Sequence, residues 1–352
     1  MPGMADKLSS SVLAAYQSKQ PLDITGAGTK SFLGSAATNT KSLDVTGHRG
    51  IIEYDPAELV LVARAGTPLK AIEETLNDHG QMLGFEPPFI RDGATLGGAV
   101  ATGLAGPRRA FSGGVRDFVL GATFINGKGE TVTAGGKVMK NVAGFDLFRP
   151  MAGSMGTLGV LLKIALRVLP RPESELSLLL EESDERRAIS RMNRWPCKTQ
   201  AISAACWDGQ HIRVRLSGSP AGIEHAHAHI GGEKCTDGGY WHDLNNFRLD
   251  FFQQAGHLWR INVAAVSEPF GASARQLVDW GGAQRWLKSD KPAALIRSRA
   301  SELGGFADCF SADPTVSTFH PLEGCILAAN RRLKTAFDPA GILNPGRLQP
   351  GF

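Results

Sequence analysis

Glycine crowds into one half of this 352-residue chain, and that crowding constrains the fold more than any other feature of the sequence. The chain has 42 glycines, about 12% of its residues against a typical ~7%. They concentrate between Gly26 and Gly159, in loops between apolar runs. A residue without a side chain permits positive φ and close backbone approach to a ligand, at an entropic cost. The pattern indicates either a fold with many tight turns or a backbone that closes around a large ligand.

Composition narrows the class of protein. Apolar residues make up 42% and charged residues 20%, values typical of a globular rather than a disordered chain. A formal charge of +4 supports neither a nucleic-acid binder nor a membrane-surface helix. The five cysteines form no CxxC pair, so the sequence predicts neither a zinc site nor an iron–sulfur cluster. Because no apolar run reaches ~18 residues and no signal peptide is evident, we expect a cytoplasmic chain without a membrane span.

Two halves of different texture predict two domains. In residues 1–172, short β-branched runs alternate with glycine-rich turns, and a long apolar strand over 156–170 closes this half. Residues 173–312 show the strand, helix, hairpin, helix and strand order of a ferredoxin-like α+β domain. Asn126-Gly127 and Asp208-Gly209 mark hairpin turns. A helix and a turn-rich tail occupy residues 313–352.

The loop from Gly26 to Gly34, directly after a predicted strand at 22–25, is the first candidate binding segment. A diphosphate needs several backbone N–H groups around it, and small residues at alternate positions supply such a nest. The side chains of Thr29, Lys30 and Ser31 add donors. A Rossmann interpretation fits poorly, because position 31 is Ser rather than Gly and the following residues do not continue as a helix.

Two more glycine-rich segments follow, at residues 93–117 and 140–159. So many positions without side chains allow a backbone to lie flat against a planar object. In order and spacing, the three segments resemble the FAD-binding domain of the vanillyl-alcohol oxidase and p-cresol methylhydroxylase superfamily, over roughly residues 4–172. That family has a glycine-rich pyrophosphate loop, then a TxGG…ATG segment, then a GxxGTLG segment that leads into a strand.

The resemblance implies a two-part FAD-binding domain, a ferredoxin-like second domain, and a C-terminal helix and tail that return toward the flavin domain. It also implies three groups of FAD-binding residues. The pyrophosphate group comprises Gly26, Ala27, Gly28, Thr29, Lys30 and Ser31. The flavin and ribityl group comprises Thr95, Gly97, Gly98, Ala101, Thr102, Gly103, Gly113 and Gly114. The adenosine group comprises Gly156, Gly159 and Val160. Covalent members attach FAD through His or Cys, often in the pyrophosphate loop; residues 26–34 contain neither, so we expect non-covalent FAD.

Within the superfamily, residues 137–173, 278–289 and 337–348 resemble the GlcE family, the FAD-binding subunits of bacterial glycolate dehydrogenase (glycolate oxidase). The resemblance implies oxidation of glycolate, a small 2-hydroxy acid, to glyoxylate, with a hydride passing to the flavin and electrons leaving through iron–sulfur clusters. It implies a catalytic FAD subunit and an iron–sulfur subunit as partners. It also implies a cytoplasmic location, peripheral to the inner membrane through those partners.

The sequence departs from a complete 2-hydroxy-acid dehydrogenase in one respect. The related catalytic enzymes carry metal-binding histidines in the C-terminal domain, and no comparable HxHxxH element is present here. We therefore assign no catalytic residue and predict no metal. His225, His227 and His229 are a weak alternative metal site, because only His225 and His229 share a helix face; a solvated helix face competes with it.

Other candidates keep two interpretations each. Arg108 and Arg109 either meet an anion, a carboxylate or the FAD phosphates, or are solvated. Lys140 and Asn141 either approach the flavin ring edge, where positive charge stabilises reduced flavin, or belong to the surface. The two tryptophans of the segment 280–286 are predicted to share one face of a strand, where they either pack the sheet of the second domain or touch substrate, and the first is favoured.

Three functional hypotheses remain. The chain is a redox-active subunit, or a flavin-stabilised structural subunit whose paralogue carries catalysis, or a stand-alone FAD-dependent oxidase of 2-hydroxy acids. The missing histidine set favours the second over the first.

Overall fold

The computed structural model describes residues 3–35, 39–90, 92–136, 146–197, 199–236, 239–271, 276–311, 313 and 315–352. The helices, in chain order, are α1 (Met4–Ser18), α2 (Leu69–Asn77), α3 (Leu96–Thr102), α4 (Arg109–Ser112), α5 (Val115–Phe118), α6 (Glu185–Arg194), α7 (Pro220–Ile230), α8 (Tyr240–Asn245), α9 (Asp250–Gln253), α10 (Ala293–Glu302) and α11 (Gly324–Phe337). The strands are β1 (Leu22–Thr25), β2 (Lys41–Asp44), β3 (Ile51–Asp55), β4 (Val60–Arg64), β5 (Gln81–Met82), β6 (Val119–Ile125), β7 (Thr131–Gly135), β8 (Val160–Arg167), β9 (Leu169–Pro170), β10 (Ser174–Glu181), β11 (Ile202–Trp207), β12 (His211–Gly218), β13 (Glu233–Cys235), β14 (Leu258–Asn262), β15 (Gln276–Asp279), β16 (Gln284–Lys288) and β17 (Phe306–Cys309). Within this described part, every helix is too short or too polar to span a lipid bilayer.

The chain divides into two compact units. Unit 1 contains the described residues of 1–104, 114–170 and 321–352, and unit 2 contains those of 105–113 and 171–320. The division is not a single cut, because the segment 105–113 belongs to unit 2 although both its neighbours in the chain belong to unit 1.

Unit 1 is built on a five-stranded antiparallel sheet in the order β3-β4-β8-β6-β7. β8 lies at its centre because its residues are almost all apolar, and only Lys163 and Arg167 are partly exposed. This confirms the buried strand predicted from the apolar run at 156–170. A core cluster that includes Val12, Leu22 and Val160 joins α1, β1 and β8. β1 itself pairs with β2 in a separate parallel pair.

The C-terminal residues fasten onto unit 1 through one buried ion pair. Lys334 of α11 is 6% exposed, and its ammonium donates to the Asp338 carboxylate at 2.7 Å. The same ammonium donates to the carbonyls of Thr157 at 2.8 Å and Leu343 at 2.9 Å. Asp338 also accepts the backbone amides of Ile342 and Leu343. The pair therefore ties α11 to the loop before β8 and shapes residues 338–352, which we call the C-terminal hook.

Unit 2 is an eight-stranded antiparallel sheet in the order β13-β10-β12-β11-β15-β16-β14-β17. Its first four strands, with α6 and α7, follow the ferredoxin-like chain order. The sequence-based prediction for this region is thus confirmed. The later strands form a second half of the sheet, and the sequence did not predict its arrangement. If the four strands of each half are numbered in chain order, each half has the lateral order 4-1-3-2 when it is counted from the outer edge of the sheet. The two halves meet at their inner edges, where β11 pairs with β15. In the second half, the described residues between β14 and β15 form no helix.

The segment 105–113 is anchored within unit 2 by two arginines. Arg108 is 8% exposed and donates to the Glu175 carboxylate at 2.7 Å. The solvated alternative for Arg108 is therefore wrong, because its guanidinium is buried and pairs with a carboxylate of this same chain. The Arg109 guanidinium lies 4.3 Å from the centre of the Trp280 ring, a cation–π distance. The indole N–H of Trp280 donates to the Gly106 carbonyl at 3.0 Å.

Trp280 occupies a strained turn between β15 and β16. Its φ is 53°, and the next two residues, both glycine, also have positive φ. A left-handed conformation costs a bulky residue on the order of 1–3 kcal/mol, so surrounding contacts must hold it. The prediction that Trp280 and Trp286 share a strand face is wrong, because only Trp286 lies in a strand, β16.

Replacing Lys334 by Met would leave the Asp338 carboxylate buried without its cation. We expect the free energy of unfolding, measured by urea denaturation at neutral pH, to fall by about 3–5 kcal/mol. Arg331 lies on the same helix but is exposed, and its replacement by Met should change stability by less than ~0.5 kcal/mol. Equal effects of the two substitutions would show that the ion pair does not hold the hook.

Candidate cofactor-binding site

A cavity of about 240 Å³ lies in unit 1 between the loop after β1, helix α3 and the C-terminal hook. Ligand pockets usually measure roughly 300–1,000 Å³, so a cavity of this size holds part of a large ligand. The sequence-predicted residues that line it are Gly26, Ala27, Gly28, Thr29, Lys30, Ser31, Thr95, Gly98, Ala101 and Thr102. The structure thus brings the complete predicted pyrophosphate loop together with four residues predicted beside the flavin and ribityl chain.

The loop Gly26–Ser31 offers its backbone to an anion. Gly28 has φ 66°, and a Cβ built there would meet no atom within 4 Å, so this position faces open space. The backbone amides of Ala27, Gly28, Thr29 and Lys30 donate no hydrogen bond to any residue that the structure describes. Consecutive amides without acceptors are what an anion-binding nest provides. The backbone therefore fits a phosphate group.

Lys30 adds a positive charge to the same cavity wall. It is 7% exposed, and no carboxylate pairs with it within the described ranges. Burial lowers the pKa of its ammonium to about 8. Because desolvation disfavours the charged form, an anion placed in the cavity would stabilise that form and raise the pKa again.

Thr95 fixes the beginning of α3 against the loop. Its hydroxyl oxygen accepts the Gly98 amide at 3.2 Å as the N-cap of the helix. A Cβ on Gly26 would lie 2.6 Å from that same oxygen. Glycine at position 26 is therefore required for the loop to approach the helix this closely.

The other predicted FAD-binding residues do not line this cavity, namely Gly97, Gly103, Gly113, Gly114, Gly156, Gly159 and Val160. Gly97 packs against Ala65, and Gly159 packs against Phe124. Val160 is fully buried in the core of unit 1. Their contact with a cofactor stays a prediction. Lys140 and Asn141 lie outside the described residues.

The sequence-based prediction that the C-terminal tail returns toward the flavin domain did not name any residue of the hook as part of the site. Asn344 lines the cavity, and its amide group accepts the Ile24 backbone N–H at 2.6 Å and donates to the Met155 carbonyl at 2.7 Å. It thereby joins β1 to the loop before β8. Arg347 lines the cavity as well. The signal that could have found them is the Asn-Pro-Gly-Arg string at 344–347, which stands apart from any predicted helix or strand.

The three clustered histidines lie on a helix, as predicted. The rings of His225 and His229 are 4.4 Å apart on the exposed side of α7. His227 contacts the Gly232 carbonyl at 3.1 Å. Across the described ranges, no group of three or more His, Cys, Asp or Glu side chains is placed to hold a metal ion.

Comparison with known proteins decides the family. Residues 1–135 match the FAD binding domain family. Over 334 residues the chain is 46% identical to the glycolate oxidase subunit GlcE of Escherichia coli (strain K12), a match that covers 95% of this chain and 94% of that protein. The chain belongs to the GlcE family of FAD-linked oxidoreductases.

More distant relatives share part of the sequence or the fold. The D-lactate dehydrogenase of Archaeoglobus fulgidus is 30% identical over 48% of this chain and 38% of its own length. A solved structure of alkyldihydroxyacetonephosphate synthase superimposes with a TM-score of 0.69 at 16% identity, covering 99% of this chain and 76% of that one. At this identity the structural likeness shows the fold alone, and it extends over both units of the GlcE-family chain.

We expect the affinity for FAD to fall as the pH rises through about 8. A bound diphosphate raises the lowered pKa of Lys30, so binding above that pH must take up a proton, and affinity declines by up to about tenfold per pH unit. Below it, Lys30 is already charged and affinity is level. Flavin fluorescence quenching between about pH 6.5 and about pH 9.5 measures this.

The matched variants are Lys30→Met and Lys128→Met, the latter at an exposed loop position of unit 1. Lys30→Met should bind FAD more weakly at neutral pH and lose the pH dependence, whereas Lys128→Met should behave like the parent protein. An unaltered pH profile in Lys30→Met would contradict the assignment.

Proposed function

We propose that this chain is the FAD-binding subunit of a multi-subunit glycolate dehydrogenase that oxidises glycolate to glyoxylate and passes electrons to an iron–sulfur subunit. The observation that carries this proposal is the 46% identity to the Escherichia coli glycolate oxidase subunit over nearly the full length of both chains. The partners are a catalytic FAD subunit and an iron–sulfur subunit. The chain is cytoplasmic and reaches the inner membrane through them.

FAD binds without a covalent bond in this proposal. Among the residues that the structure describes, those that line the cavity include neither His nor Cys. Of the five cysteines, Cys197, Cys206, Cys235 and Cys309 belong to unit 2, and Cys325 is exposed on α11. The side chains that covalent attachment requires are therefore not at the cavity wall.

The residues of the site bind and orient the cofactor, whose flavin supplies hydride acceptance when it is bound. The free amides of Ala27 to Lys30, with the Lys30 ammonium, hold the diphosphate. Thr95 and Gly98 at the beginning of α3 keep the loop and helix at a fixed separation. Asn344 fixes the opposite wall by its bonds to Ile24 and Met155.

A second candidate is a structural subunit that binds flavin while its paralogue carries catalysis. The observation that favours it is that two histidines of unit 2, His257 and His320, are used in local structure. The ring of His257 contacts two carboxylates: its Nδ1 lies 3.2 Å from Oδ1 of Asp290, and its Nε2 lies 2.8 Å from Oδ2 of Asp313. His320 accepts the Ala307 backbone N–H at 3.2 Å. Side chains engaged in this way stabilise loops of unit 2 instead of facing a substrate.

Acid precipitation tests the binding mode. When the purified flavoprotein is precipitated with trichloroacetic acid, we expect all flavin absorbance in the supernatant, because only non-covalent contacts hold it. A yellow pellet, as a covalent flavoprotein gives under the same treatment, would overturn the proposed mode.

Anaerobic addition of glycolate separates the two candidates. In the chain purified alone, a redox-active subunit would lose the visible absorbance of its bound flavin, whereas a structural subunit would keep it, and we expect it to persist. The assembled complex, which contains the catalytic FAD subunit, should bleach in either case. Bleaching of the isolated chain would identify it as redox-active in its own right. D-lactate, added in parallel, tests the substrate class, and a complex that responds to D-lactate but not to glycolate would contradict the proposed substrate.

A further inference from the structure

We propose that Arg347, in the C-terminal hook, binds the diphosphate of FAD together with Lys30. The inference rests on the proposed binding of FAD at this cavity. It adds a residue far beyond position 135, where the match to the FAD binding domain family ends.

Arg347 is a largely buried cation whose hydrogen-bonding capacity is not filled. Its side chain is 15% exposed, and its Nε is buried without a hydrogen-bond partner among the described residues. The nearest carboxylate oxygen, Oδ1 of Asp23, is 3.9 Å from Nη1, too far for a hydrogen bond. A guanidinium in this state is costly, because its desolvation is not compensated. A ligand that accepts several hydrogen bonds would remove that cost.

The backbone holds Arg347 in place against the pyrophosphate loop. Its amide donates to the Asn344 carbonyl at 3.2 Å, and Asn344 is itself bonded to Ile24 and Met155. At the end of the loop, a Cβ on Gly34 would overlap the Arg347 carbonyl oxygen. The guanidinium is therefore carried by a fixed segment and needs no large rearrangement to meet a ligand.

The cavity combines donors that suit a dianion. Lys30 provides a point charge, Arg347 provides a planar fork of N–H groups, and the amides of Ala27 to Lys30 provide neutral donors. Arginine binds phosphate oxygens in pairs, whereas lysine binds them singly. Two cations at one cavity match the two negative charges of a dinucleotide diphosphate.

Binding measurements on Arg347→Gln and Arg347→Lys test the proposal. We expect Arg347→Gln to weaken FAD binding by about 10- to 100-fold in fluorescence quenching, the effect of losing charged hydrogen bonds. Arg347→Lys should retain an intermediate affinity, because it keeps the charge but loses the fork. The dissociation constant of ADP, which carries the diphosphate but no flavin, should rise in Arg347→Gln by a similar factor, so that ADP competes against FAD about as well as it does in the parent chain.

Two further variants distinguish binding from a structural role. Arg331→Gln, an exposed arginine of α11, should leave FAD affinity unchanged. Asp23→Asn should bind FAD at least as tightly as the parent chain, because it removes the carboxylate that competes for Arg347. The thermal midpoint of the FAD-free protein should not fall in any of these variants, because Arg347 has no hydrogen-bonded carboxylate partner to lose among the described residues.

Parent-like FAD affinity in Arg347→Gln would overturn the inference. So would equal losses of FAD-free thermal stability in Arg347→Gln and Asp23→Asn, because the arginine would then serve an ion pair. If the parent chain itself binds no FAD, the proposed function fails, and this inference fails with it. If the parent chain binds FAD and Arg347→Gln binds it equally well, only this inference fails.

Discussion

The buried contact between Lys334 and Asp338 is the interaction on which the cavity depends. Three donors of the ammonium meet three acceptors: the carboxylate and the carbonyls of Thr157 and Leu343. A buried ion pair stabilises a fold only when such additional bonds offset desolvation. Because Asp338 also orders the backbone of Ile342 and Leu343, the pair sets where the following residues lie. The position of the cavity wall that the hook forms therefore depends on this one salt bridge.

Local patterns predicted much of the fold. The apolar run of β8 and the turns at Asn126-Gly127 and Asp208-Gly209 carry their signal within a few residues, and the structure has all three. The first ferredoxin-like half was likewise predictable from its alternation of strands and helices. Its second half was not, since the described residues between β14 and β15, 263–271, do not form the helix that makes the motif recognisable. Lateral strand order depends on long-range pairing, which no local pattern records.

The residues of the site were likewise predictable only where the signal lies within a few neighbouring positions of the sequence. The loop 26–31 and the beginning of α3 were found because glycine and threonine clusters are local signals. The pattern could not separate glycines that face a ligand from glycines that let two parts of the protein touch. Gly28 opens on the cavity, but Gly97 and Gly159 lie against Ala65 and Phe124. Asn344 and Arg347 were missed because more than three hundred residues separate them from Ile24.

The route of the chain through unit 2 has a consequence for biosynthesis. Every residue of the eight-stranded sheet precedes position 321, whereas unit 1 includes the residues from 321 to the C-terminus. A chain emerging from the ribosome therefore presents a complete unit 2 while unit 1 still lacks Lys334 and Asn344. Unit 1 thus has residues that are synthesised before unit 2 and others that are synthesised after it. The cofactor cavity, which needs Asn344 as part of its wall, cannot close before the ribosome has added that residue.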